Sequence, residues 1–123
     1  MIRIMTLEEG DKVPLDNGRG EKVRLVDGRL GTDAIDLHHN TLVPGGPAGR
    51  YHRHSKADNV YIVMGGVGEL VADGKAYEVR EGQIIFIPAG VPHSLSNPGA
   101  EPFRIFEIYA PAGPDFDFIS VAD

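Results

Sequence analysis

Gly46-Pro-Ala-Gly-Arg-Tyr-His52-Arg-His54-Ser-Lys-Ala-Asp-Asn59-Val-Tyr-Ile-Val-Met-Gly-Gly66 and Gly82-Gln-Ile-Ile-Phe-Ile-Pro88-Ala-Gly90-Val-Pro-His93-Ser-Leu-Ser-Asn97 are the two stretches that decide how this chain is read. His52 and His54 are two residues apart, and on a strand that spacing puts both side chains on one face. His93 follows an apolar run and a Pro-rich turn. A strand pairing beside His52 and His54 would bring in a third imidazole. Three imidazoles suit a divalent ion with positions left open for water or substrate. A His pair on a solvated strand face has the same spacing, so spacing alone leaves both readings open.

Working outward, short strand patterns recur. Val23 to Val26 leads to the turn Asp27-Gly28. Ala34 to Val43 is extended and ends at Pro44-Gly45-Gly46-Pro47. Asn59 to Met64 is apolar and β-branched, and Gly65-Gly66 ends it. Gly68 to Ala72 and Lys75 to Val79 flank Asp73-Gly74, the strongest short hairpin signal. Ile84 to Ile87 is apolar on both faces, so it is expected to be covered on both sides. Phe103 to Tyr109 is the last clear strand. Close-spaced strands with Gly/Pro turns and no helical period predict an all-β sandwich or barrel with little or no helix. The tail from Pro111 to Asp123 is expected to be irregular, with Phe116, Phe118 and Ile119 packing back on the barrel or on a neighbouring chain.

Composition narrows the classes. The 123 residues suit a single domain, 1–123, and the 41% hydrophobic content can fill one core. Gly (16) and Pro (9) are about one fifth of the chain, which suits turns rather than a helical bundle. The absence of cysteine excludes disulfides, thiolate metal sites and a cysteine nucleophile. Any metal must be held by His, carboxylate or amide groups. The net charge of −6, with no basic cluster, argues against nucleic acid as a partner. There is neither a signal-peptide core nor an apolar run of membrane-spanning length, so a cytoplasmic protein is the expectation.

The first stretch, 46–66, resembles the first cupin motif: Gly, five residues, His-x-His, three or four residues, Glu, six residues, Gly. The second, 82–97, resembles the second cupin motif: Gly, five residues, Pro-x-Gly, two residues, His, three residues, Asn. Every fixed position of the second motif is met. The resemblance implies a single-domain jelly-roll β-barrel of the cupin superfamily. It also implies one divalent metal ion (Fe, Mn, Ni, Zn or Cu) on His52, His54, His93 and the Glu position of the first motif. This chain departs at that last position. Asn59 aligns there, six residues before Gly66, and Asp58 would face the opposite side of the same strand. An Asn oxygen is a neutral, weaker ligand than a carboxylate. Asn59 is therefore expected to bind weakly or through water, or to mark a barrel that has lost its metal.

Other residues carry secondary expectations. Tyr61 shares the face of Asn59 and either touches a bound ligand or is core with its hydroxyl at the rim. Glu107 shares a strand face with Phe103, Ile105 and Tyr109. Inward, it would support a ligating His or act as a base; an irregular strand would turn it outward. His38 and His39 are adjacent and read as surface or interface residues. Arg50 and Arg53 flank the His pair, either clamping a carboxylate or solvated. The resemblance implies a small mononuclear metalloenzyme acting on a small anionic organic substrate, of dioxygenase, decarboxylase or isomerase type. The alternatives are a non-catalytic small-ligand sensor and an oligomer-forming barrel. Cupins of this size imply a homodimer, with Met1 to Met5 as a strand that could join a neighbour's sheet edge.

Overall fold

In a computed structural model of the chain, residues 1–122 are described, and the alternating patterns resolve into antiparallel strands in two sheets. In chain order they are β1 (Asp11–Pro14), β2 (Gly20–Val26), β3 (Asp36–Leu42), β4 (His52–Arg53), β5 (Asp58–Gly65), β6 (Val67–Ala72), β7 (Lys75–Arg80), β8 (Ile84–Ile87), β9 (His93–Ser96), β10 (Phe103–Ala110) and β11 (Ile119–Ser120). One sheet runs β1-β2-β3-β10-β5-β8 and the other β11-β4-β9-β6-β7. Helical structure among the described residues is limited to three short 3-10 turns. No helix among them is long and apolar enough to cross a membrane.

The inner faces meet in a core of Leu42, Tyr61, Val63, Leu70, Val79, Ile87, Leu95, Phe103 and Ile105. On β5 the alternation is plain: Asn59, Tyr61 and Val63 are buried and Asp58 is exposed. The hairpin of β6 and β7 turns at Asp73-Gly74, both with positive φ (51° and 79°). That backbone matches the twist of the flanking strands, and Gly74 adopts it without a Cβ clash. Asn97 ends the second motif as a staple. Its amide donates to the carbonyls of Leu42 (2.9 Å) and Glu101 (2.8 Å), and its side-chain oxygen accepts from Gly99 N.

Met1 to Met5 lie outside both sheets, with Met1, Ile2 and Ile4 exposed. Two expectations are corrected. β8 is an edge strand with one bare face: Ile84 is 70% and Phe86 61% exposed. Its doubly apolar pattern reflects a sheet edge, not two covering layers. The second concerns His38 and His39, which are both buried, at 1% and 3% exposure. Side chains on β3 alternate between the two faces of the sheet, and His38 points inward to Glu107 at 2.9 Å. His39 faces away from the barrel interior and packs edge-on against Phe106.

Candidate metal centre

The strand order explains how distant histidines meet. β4 pairs with β9 so that His52 lies directly opposite His93. His54 follows β4 immediately, and the turn Pro88-Ala-Gly90 docks on it: Gly90 N donates to His54 O at 2.7 Å. One ring nitrogen from each of His52, His54 and His93 lies within 4.8 Å of the other two. The expectation that a neighbouring strand would supply a third imidazole is met.

Hydrogen bonds orient each ring. His52 Nδ1 donates to the Arg50 carbonyl (2.7 Å), His54 Nδ1 to that of Asp117 (2.6 Å), and His93 Nδ1 to that of Val91 (2.9 Å). A carbonyl only accepts, so each Nδ1 carries the proton and each Nε2 keeps a lone pair. The Nε2 atoms of His54 and His93 are buried with no hydrogen-bond partner. Burial holds His52 down to about 4, and its neighbours His93 and His54 add to the effect. Burial also lowers His93. Both rings are therefore neutral at pH 7, the form that binds metal. Buried lone pairs with no donor nearby are costly unless something fills the site. These donors suit a divalent transition ion.

The tail forms a wall of the site. Phe118 stacks on His52 (4.0 Å between ring centres, 11° between planes) and Phe116 on His54 (4.8 Å, 29°). β11 pairs with β4, and Asp117 accepts from the Ser55 amide at 2.7 Å and from the Ser55 hydroxyl. The expected packing of Phe116 and Phe118 on the barrel is thus observed, with a two-residue strand added.

Asn59 is buried, and Asp58 faces out, accepting from Ala89 N at 2.9 Å. The Asn59 amide donates to Glu107 Oε2 at 2.8 Å, while its Oδ1 is buried and without a hydrogen-bond partner. Glu107 points inward and is 5% exposed, so the outward reading is overturned. β10 is regular at that point, with Glu107 opposite Tyr61 on one side and His38 on the other. Its Oε1 accepts from His38 Nε2 (2.9 Å) and from Asn40 (3.0 Å), and His38 Nδ1 reaches Asp36 at 2.9 Å. Glu107 therefore supports His38 and Asn59, not one of the three clustered histidines. Two carboxylates accepting from one ring make it an imidazolium. Burial opposes that charge, but Asp36 and Glu107 outweigh it and raise His38. Burial likewise opposes the Glu107 charge, yet the His38 hydrogen bond and charge bring it down to about 2. Tyr61 and Tyr109 lie beside this carboxylate, and burial first, then its charge, raises both well above the usual tyrosine value. Tyr61 belongs to the core and also lines the cavity, with its hydroxyl beside the carboxylate.

A cavity of about 540 Å³ opens onto His52, Tyr61, His38, Glu107 and Tyr109, with Phe116 and Phe118 in its wall. Arg50 lines it too, but is solvated, lying 3.7 Å from Asp16. His38, Asp36 and Asn40 were not singled out as site residues. Only the pairing of β3 with β10 places them at Glu107, and no local pattern announces that register.

The model of the cupin domain family matches residues 38–109. A mannose-1-phosphate guanylyltransferase of Klebsiella pneumoniae is 34% identical over 77 residues, 63% of this chain. The matched part is 16% of that relative, so the chain spans a small fraction of its length. Among solved structures, the polyketide cyclase RemF of Streptomyces resistomycificus superposes with a TM-score of 0.85 at 22% identity, over 100% of this chain and 87% of that one. A predicted oxalate decarboxylase of Thermotoga maritima gives a TM-score of 0.78 at 21% identity, covering 88% and 98%. At such identities the likeness carries the fold. With both motifs on adjacent strands of one two-sheet barrel, and the family model spanning more than half of the residues, the chain belongs to the cupin family.

Proposed function

We propose that this cupin is a small mononuclear metalloenzyme, working as one domain, that converts a small anionic organic substrate. The observation that carries the reading is the orientation of His52, His54 and His93. All three Nδ1–H groups are spent on backbone carbonyls, and the three rings converge. These residues would hold one divalent ion, which when bound supplies Lewis acidity or oxygen activation. Asn59 offers its Oδ1 as a neutral fourth donor, oriented because Glu107 holds its amide. With no carboxylate ligand, the ion's charge stays available to an anionic, chelating substrate. Glu107 provides a negative charge one hydrogen bond behind Asn59, and His38 and Asp36 hold a proton beside it. Phe116 and Phe118 shield the histidines from water.

The test is to load the metal-free protein with Fe(II), Mn(II), Ni(II) or Zn(II) and offer hydroxy, keto and aromatic carboxylates, following oxygen uptake and products by mass spectrometry. Turnover that requires metal and is lost in His93→Ala supports the reading. The replacement of the usual Glu by Asn59 favours one alternative, a barrel that binds its ligand without turnover. Ligand-induced thermal stabilisation with no product under any metal would select it. We also propose a homodimer. The bare face at Ile84 and Phe86 and the exposed Ile2 and Ile4 of the N-terminal arm supply apolar surface for a second copy.

A further inference from the structure

The cavity that reaches His52 also contains cations that the histidines do not use. Arg19 is fixed by its turn. Leu15 N donates to Gly20 O (2.9 Å), Arg19 N to Asp16 O (3.2 Å), and Val43 N to Arg19 O (2.9 Å). Its guanidinium lies across Gly49, where an added Cβ would fall 2.6 Å from Nη2 and 2.9 Å from Cζ. Its Nε is buried with no hydrogen-bond partner, and no carboxylate among the described residues forms an ion pair with it. A part-buried guanidinium with an unmet donor is unfavourable unless an anion completes it. Lys22, on β2, lines the same cavity and likewise has no ion-pair partner among the described residues.

We propose that Arg19, aided by Lys22, is an anion subsite that grips the carboxylate of a ligand whose other end reaches the histidines. The span to the histidines rests on the metal-centre reading; the anion subsite does not. A carboxylate is favoured over a phosphate by charge. Arg19, Lys22, Arg50 and the His38 imidazolium line the cavity against Asp16, Asp36 and Glu107, four cations facing three carboxyl groups, and that single excess positive charge suits a monoanion better than a dianion. A guanidinium fork matches carboxylate and phosphate alike, so the charge balance decides between them. Tyr61, Tyr109, Phe116 and Phe118 in the walls accept a flat, unsaturated body. The ligand class is therefore a planar monocarboxylic acid with a chelating oxygen away from the carboxylate.

Calorimetric titration of benzoate, 3,4-dihydroxybenzoate and inorganic phosphate into metal-free and metal-loaded protein tests this. Wild type should bind the carboxylates in preference to phosphate. Arg19→Gln should weaken them at least tenfold while its melting temperature and metal content stay at wild-type values. Gly49→Ala keeps the charge but displaces the guanidinium, and should weaken binding in the same direction. Equal carboxylate affinity in Arg19→Gln, a preference for phosphate, or no carboxylate binding by wild type would overturn the proposal. Metal-free protein that binds carboxylate through Arg19 yet takes up no metal would uphold the subsite and sink the metal-centre reading instead.

Discussion

Glu107 is a single residue on which three others depend. It accepts from His38, Asn40 and Asn59 from a buried position. Its pH behaviour follows from the two shifts. His38 is raised above its usual 6.5, so its contribution to stability is fully present below pH 6.5 and is lost as pH rises through the folded value. Glu107 is lowered from 4.5 to about 2, so its contribution is fully present above pH 4.5 and is lost as pH falls towards that value. Both are complete between pH 4.5 and 6.5. In metal-free protein, Glu107→Gln should lose roughly 1–3 kcal/mol, as expected for an unsatisfied buried partner. The melting-temperature gap to wild type should be widest in that window and narrow on either side. A gap that is flat with pH would mean the pair is not charged. The sequence made Glu107 visible as a carboxylate on an apolar face, but not its direction. The deciding fact is its cross-strand pairing with His38, 69 residues away in the chain.

Among the elements, the C-terminal strap and the β6 strand matter most. The strap supplies the Asp117 carbonyl that fixes the His54 ring and the two phenyl rings that stack on His52 and His54. Truncation after Ala112 should lower metal affinity 10–100-fold, the usual effect of removing a ligand's orienting partner. Competition with a chromogenic chelator measures it, and unchanged affinity would show that the strap does not orient His54. On β6, Gly68 faces the Phe103 ring, and an added Cβ would lie 2.6 Å from it. Phe103 is fully buried and cannot retreat. Gly68→Ala should therefore destabilise the fold by about 1–3 kcal/mol through overpacking, read by urea denaturation. Seven strands were legible from apolar alternation and turn residues, including the Asp73-Gly74 hairpin. β1, β4, β9 and β11 were not, because they are only two to four residues long and lack the continuous apolar run that marks the equally short β8. Long-range pairing makes them strands.

At the scale of the molecule, the barrel brings two sequence motifs onto adjacent strands and leaves the outer face of the β8 edge strand bare. If that face joins a second copy, Phe86→Lys should convert a dimer to a monomer in multi-angle light scattering with little change in melting temperature. A monomeric wild type would contradict the proposed assembly. The three clustered histidines were legible from spacing and resemblance because each belongs to a local motif. Arg19 was not, because its place in the cavity comes from a turn packed on Gly49, far along the chain. The central claim is that His52, His54 and His93 hold one ion together. Elemental mass spectrometry of protein reconstituted with a divalent metal tests it directly, comparing wild type with His52→Ala, His54→Ala and His93→Ala. The account predicts close to one metal per chain in wild type and loss of it in each variant. A wild type that takes up none, or variants that keep it, would contradict the account.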